Sequence, residues 1–245
     1  MSMIQAVLFD LGDTLLHFET GDRKKLLHAV VRPVYDAVCE KGYHPPAYEA
    51  YSRIAKWQFL RAILWSRICR REVRLIHEIR RVHRTMRLNL TEEETIEVSC
   101  RCFPAVREFF TKDPSAVEVI SELDGAGYKL GIVSNTVMPG ATIDDFLGRE
   151  GLLSYFPVRI YSSEVGFMKP NRRIFQLAIE RLDIAPEKTF FVGDRLGKDV
   201  RGASRLGMKT ILIRHEPGKR GGWTRPDYIV HSLPEIPIIV RNQRA

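Results

Sequence analysis

Four short stretches of this chain end apolar runs in polar or charged side chains: VLFDLGDTLL over residues 7–16, GIVSN over 131–135, GFMKPNRRIF over 166–175 and FFVGDRLGKD over 190–199. Together they carry carboxylates (Asp10, Asp13, Asp194, Asp199), a hydroxyl and a carboxamide (Ser134, Asn135) and an ammonium (Lys169). Carboxylate oxygens suit a hard cation such as Mg2+, and a lysine is a compact charge with several donors for anionic oxygens. A phosphoryl group passing between oxygens needs such positioning and neutralisation more than it needs covalent ingenuity. Taken singly, the residues have plainer explanations. Asp10, Gly12, Asp13, Ser134 and Asn135 are ordinary turn formers, Lys169 stands before a proline, and Asp194 can cap a helix. Their order, each near the end of an apolar run, argues against coincidence.

For these groups to converge, the apolar runs must be strands of one sheet. Ala6, Val7, Leu8 and Phe9 are continuously apolar rather than alternating, as in a strand covered on both faces of a parallel sheet. Asp10 then falls at the carboxyl end, where open α/β sheets hold their ligands. Further strands are expected over 128–134, 158–161, 189–192, 209–213 and 228–230, separated by helical patterns, notably 172–182 and 198–206. Asp113 with Pro114 reads as the N-cap and first turn of a helix. Strands alternating with helices predict an α/β fold, a Rossmann-like doubly wound parallel sheet with right-handed crossovers. From Asp22 to about Phe103 the pattern is instead almost wholly helical, with Pro33 as an irregularity and a Thr91/Glu94 capping box opening its last helix. The expected organisation is a core of residues 1–17 and 105–245, with a smaller all-helical cap, 18–104, inserted as a lid over the strand ends.

The 245 residues are 44% hydrophobic and 28% charged, an ordinary globular composition with room for a sizeable core. No apolar run approaches the ~18 residues that span a bilayer, and the first residues lack the basic and apolar segments of a secretion signal. A soluble cytoplasmic protein with no membrane partner is expected. Cys39, Cys69, Cys100 and Cys102 are too few and too irregular for a disulfide framework and are read as reduced thiols. The net charge is +8 and the sequence pI is about 9.4, a balance that favours an anionic partner. Much of the excess lies between Arg53 and Arg87, where ten arginines and one lysine face Glu72 and Glu78. In that segment Trp57, Leu60, Leu64 and Ile68, then Ile76, Ile79, Val82 and Met86, recur at helical spacing and are expected to turn inward. The charge then reads as a solvated helix face rather than a nucleic-acid surface, since no nucleic-acid motif accompanies it. The glycine-rich loop 218–223 is expected at the surface, and the oligomeric state cannot be read.

The ordered motifs VLFDLGDTLL, GIVSN, MKP and FVGDRLGKD resemble those of the haloacid dehalogenase superfamily, over nearly the whole chain, and the helical block resembles the cap inserted after its first motif. The resemblance implies a magnesium-dependent phosphatase of small anionic phosphorylated metabolites that works through an aspartyl phosphate. It makes Asp10 the nucleophile, has Ser134 and Asn135 hold the phosphoryl oxygens, and has Lys169 neutralise nucleophile and phosphate. It gives Mg2+ to Asp10, the Gly12 carbonyl and Asp194, with Asp199 a ligand or its neighbour.

The sequence departs from this pattern in one place. Phosphatases of the superfamily carry a second aspartate two residues after the nucleophile, to protonate the leaving oxygen and then activate water. That position here is Gly12, and the acid comes one residue later, as Asp13. Three outcomes are open: Asp13 swings into the role, the substrates have good leaving groups, or the reaction is another one. Dehalogenation of 2-haloacids and hydrolysis of carbon to phosphorus bonds by a cap lysine (Lys24, Lys25, Lys41 or Lys56) are the superfamily's alternatives. A catalytically weak binding module with a basic cap is the alternative from another class. Substrate choice is expected to lie in the cap, with Tyr35, Trp57, Arg61 and Trp65 as pocket candidates.

Overall fold

The computed structural model describes residues 3–18, 23–69, 74–214 and 224–243. The expected helix start at Asp22, the Arg70, Arg71 and Glu72 part of the basic segment and the loop 218–223 lie outside the described residues. The chain opens with β1 (Ala6–Phe9) and β2 (Leu16–Phe18) and runs through the helices α1 (Arg23–Glu40), α2 (Tyr48–Cys69), α3 (Leu75–Thr85), α4 (Glu92–Cys100) and α5 (Phe103–Arg107). It returns at β3 (Phe110–Lys112) and continues through α6 (Ala116–Gly125), β4 (Lys129–Ser134), α7 (Gly140–Arg149), β5 (Val158–Tyr161), α8 (Ser162–Val165) and α9 (Arg172–Leu182). Then come β6 (Thr189–Gly193), a π-helical turn at Leu196–Val200, α10 (Arg201–Ser204), β7 (Lys209–Ile213), β8 (Tyr228–Val230) and α11 (Ile236–Arg241). Two compact units result: Met1–His17 with Lys112–Thr136 and Ile143–Ala245, and Phe18–Thr111 with Val137–Thr142.

In the first unit six strands form one sheet in the order β5-β4-β1-β6-β7-β8, all neighbours parallel. The chain winds outward from β1 through β4 to β5 and then reverses to β6 on the other side of β1. This is the doubly wound order, and its switch point lies between β1 and β6. The four apolar residues of β1 are fully buried, as their unbroken run requires. Ala6 and Leu8 join Ile174, Phe175 and Ala178 of α9 in one apolar cluster. Val7 and Phe9 alternate to the other face, where the Phe9 ring meets Phe156 edge-on at 6.2 Å. Two local expectations shift. Asp113 Oδ1 accepts from the Ser115 N–H (2.9 Å) and hydroxyl (2.6 Å), so the acid closes a turn ahead of a helix that opens only at Ala116. The helix expected over 198–206 is instead the π-helical turn followed by the short α10.

The second unit is built from α1 to α5 around Val31, Val34, Val38, Tyr51, Ile79, Val82 and Val98. The Thr91/Glu94 capping box is formed in both directions. The expected return to the core at 105 falls inside α5, which packs on α1, and the chain re-enters the first unit at Lys112. Residues 137–142 also go with the helical unit, where the Leu75 N–H donates to the Val137 carbonyl at 3.1 Å. Within the basic segment Ile79 and Val82 do turn inward, whereas Trp57, Leu60 and Leu64 are exposed. Helical spacing put those three on one face, and that face is exposed. Of the pocket candidates, Trp57 and Trp65 are both about two-thirds exposed, and Tyr35 packs edge-on against Tyr48 and Tyr51. Cys39, Cys100 and Cys102 are free thiols. No helix among the described residues is long and apolar enough to cross a membrane.

Candidate active site

β1 delivers Asp10 at its carboxyl end, in the crevice beside the switch point, where the Asp10 N–H still continues the ladder to the Val192 carbonyl at 2.8 Å. Its Oδ1 accepts from the Leu11 N–H at 2.7 Å and lies 2.7 Å from Lys169 Nζ. Both contacts fall on one oxygen, and Oδ2 takes neither. Lys169 is buried and reaches Asp199 Oδ1 as well, also at 2.7 Å, with the Phe191 ring 5.4 Å from its ammonium. One ammonium thus sits between two carboxylates. Burial pushes the Asp10 carboxyl up to about 7, Lys169 opposes that and Asp199 adds to it. For Lys169 burial works against the charge, but the two carboxylates prevail and its pKa is raised.

Lys169 arrives on the loop between α8 and α9, and Asn135 holds that loop. The Asn135 Oδ1 accepts from the Lys169 N–H at 2.8 Å, and its Nδ2 donates to the Lys169 carbonyl at 3.2 Å. A carboxamide is suited to grip a peptide unit in both directions. The side chain expected to bind phosphate is therefore engaged with the main chain of Lys169, which leaves its own main-chain amide for such a role. A second clamp lies beside it: the Thr136 N–H donates to Ser162 Oγ at 2.9 Å. Ser134, the last residue of β4, is buried at the same ends of the strands.

Asp194 and Asp199 follow β6. The π-helical turn, a geometry often found at functional sites, folds Asp199 back so that its Oδ2 accepts from the Arg195 N–H at 2.9 Å. Carboxylate oxygens of Asp10, Asp194 and Asp199 lie within 4.8 Å of one another. Three carboxylates of oxygen donors beside one ammonium fit a hard divalent cation such as Mg2+. The fit is best for Asp10 and the half-buried Asp194, because Asp199 already has Lys169 on one oxygen and Arg195 on the other. Burial first, and then Asp199, raises the Asp194 pKa, and Arg195 opposes the shift. A cation among the three would favour the charged forms of Asp10 and Asp194.

The turn after β1 sends Asp13 elsewhere. Asp13 has a left-handed backbone (φ 54°), which aspartate tolerates, and its N–H donates to the Leu16 carbonyl at 2.7 Å. Its Oδ2 accepts from Arg195 Nη2 at 3.0 Å, and the same guanidinium donates from Nε to Asp194 Oδ2 at 2.6 Å. Gly12 is exposed at this turn, and a Cβ added there would meet nothing within 4 Å. Arg195 is the residue that the sequence reading passed over. The available signal was a basic residue directly after a strand-end acid.

Gly193, the last residue of β6, gives a direct test of this packing. An added Cβ would stand 2.6 Å from Asp199 Cγ and 2.7 Å from its Oδ2. Gly193→Ala must push the Asp199 carboxylate off Lys169. The expected result is a loss of roughly 1–3 kcal/mol in stability and roughly 10- to 100-fold in turnover, the scale seen when a partner of a ligand is disturbed. Native melting temperature with native turnover would show that Asp199 does not need this position.

Residues 4–207 match the haloacid dehalogenase-like hydrolase family. A glyceraldehyde 3-phosphate phosphatase of Methanothermobacter thermautotrophicus is 38% identical over 105 residues, 42% of this chain and 45% of that protein. The chain spans about half the length of the curated relatives it matches. Among solved structures, a HAD phosphatase from Thermococcus onnurineus aligns with a TM-score of 0.62 at 28% identity, covering 99% of this chain and 100% of that one. A 2-haloacid dehalogenase from Pseudomonas syringae aligns with a TM-score of 0.68 at 21% identity, covering 98% and 99%, a likeness of fold alone.

Proposed function

Since the chain belongs to the haloacid dehalogenase-like hydrolase family, we propose that it is a magnesium-dependent phosphohydrolase that removes phosphate from a small phosphorylated metabolite. The observation that carries this reading is the buried Lys169 between Asp10 and Asp199, with Asp194 alongside, at the switch point of the sheet. The phosphatase activity in the name of the Methanothermobacter relative supports it.

In this reading Asp10 Oδ2 attacks phosphorus while Lys169 and the Leu11 N–H hold Oδ1 and so fix the carboxylate plane. An aspartyl phosphate forms, which divides hydrolysis into two easier steps. The Ser134 hydroxyl and the Asn135 main-chain amide donate to the phosphoryl oxygens, and Lys169 neutralises their charge. Asp10, Asp194 and the Gly12 carbonyl, with Asp199 beside them, would hold a magnesium ion, which when bound would add further neutralisation of those oxygens. Asp13 orients Arg195 against Asp194. The basic balance of the chain favours the anionic substrate.

The test is phosphate release from a panel of phosphomonoesters and acyl phosphates, before and after chelation with EDTA. Release that disappears with EDTA and returns with Mg2+ is expected. No release from any member by folded protein, with halide release from a 2-haloacid in its place, would overturn the reading.

A further inference from the structure

The leaving oxygen is the part of the substrate for which this site makes least provision. This inference rests on the phosphohydrolase reading and concerns the same site. When phosphorus moves to Asp10, the departing oxygen keeps the electron pair of the broken bond. It leaves either protonated by an acid in the site or as an anion. Among the described residues, the four carboxyls that follow β1 and β6 here are turned to cations. Asp10 and Asp199 share Lys169, and Asp194 and Asp13 share Arg195. Ammonium and guanidinium groups offer donors and no acceptor, so each of these contacts makes the carboxylate oxygen an acceptor. Asp13 is further fixed by its left-handed backbone and its bond to Leu16. Among the described residues no histidine joins the acidic cluster.

Gly12 stands where the phosphatases that the motif resembles carry an acid. It lies two residues after Asp10, the spacing at which an extended chain returns to the same face. Its backbone is outside the left-handed region, and an added Cβ would enter open space. We propose that this site takes phosphoryl groups from oxygens that depart as stable anions, the carboxylate of an acyl phosphate or the phenolate of an aryl phosphate, and serves alkyl phosphates poorly. The step balances without an acid. Asp10 Oδ2 bonds to phosphorus as the leaving oxygen departs with its pair. Water then attacks phosphorus, the pair of the breaking bond returns to Asp10, and the proton of the water goes to solvent.

The test measures kcat/KM with Mg2+ for acetyl phosphate, a series of aryl phosphates and alkyl phosphates including glyceraldehyde 3-phosphate. It compares the native protein with Gly12→Asp and Gly12→Asn. The native rate is expected to fall steeply as the leaving oxygen becomes more basic, with alkyl phosphates about 10²-fold or more below acetyl phosphate, the scale of a general acid. Gly12→Asp is expected to raise alkyl phosphate turnover about 10²-fold relative to acetyl phosphate and flatten the series. Gly12→Asn, similar in size with no proton to give, is expected to stay steep. A flat native series overturns the inference and needs no variant to read. So does a steep series that a folded Gly12→Asp leaves equally steep. If nothing in the series, acetyl phosphate included, is hydrolysed, the phosphohydrolase reading itself has failed.

Discussion

Asp10→Asn is expected to reduce magnesium-dependent phosphate release by roughly 10⁴-fold or more, the scale on which loss of a nucleophile leaves only residual binding effects, while the fold is kept. The carboxamide matches the carboxylate in shape and can still accept from the Leu11 N–H, which donates at 2.7 Å in the native site. Lys169 retains Asp199 at 2.7 Å, so the buried ammonium keeps a counter-charge. The variant also removes one of two adjacent buried carboxylates, whose cost shows in the push of Asp10 up to about 7. Its melting temperature is therefore expected to hold or to rise slightly, which separates loss of chemistry from loss of structure. Acid quenching with labelled acetyl phosphate gives the covalent test: native protein retains label on Asp10, and the variant retains none. Turnover near the native level, with the Asn confirmed by mass, would place the nucleophile elsewhere.

What the sequence disclosed were the features fixed by neighbours along the chain. The unbroken apolar run of β1, the Thr91/Glu94 box and the strands 158–161, 209–213 and 228–230 stand where local pattern put them. β2 and β3 have three residues each, too few to show a period, and no pattern announced them. Periodicity also misled at Trp57, Leu60 and Leu64, because it states which residues share a face and not whether that face is covered. The polar residues of the site were legible from their order, but their partners were not. Asn135 meets Lys169 across 34 residues, and Arg195 meets Asp13 across 182. Such pairings exist only after the sheet brings its strand ends together. The hold of the Asn135 side chain on the lysine loop and the guanidinium facing Asp13 were therefore not legible in the sequence.

The same geometry makes Lys169→Met the variant with the largest expected effect on stability. Methionine keeps most of the stem beside Phe191 and removes the charge, leaving Asp10 and the fully buried Asp199 with no cation between them. Breaking a buried ion pair from one side typically costs about 3–5 kcal/mol, because the remaining charge stays desolvated. Here two like charges remain, so the upper part of that range is expected at neutral pH, together with complete loss of phosphate release. The deficit should depend on pH in a definite direction. Burial already raises the Asp10 carboxyl above its ordinary value and Lys169 opposes that, so without Lys169 its folded-state pKa rises further above the unfolded value, and the penalty is present at high pH and fades as falling pH protonates Asp10. In urea titrations of the protein without Mg2+, the gap between native and Lys169→Met should therefore narrow from pH 8 to pH 5. Adding Asp199→Asn to Lys169→Met should recover part of the stability at pH 8 and none of the activity, a non-additivity expected of groups that share one contact. A gap that stays constant with pH, or a double variant no more stable than the single one, would mean that Lys169 serves the chemistry without holding the two carboxylates together.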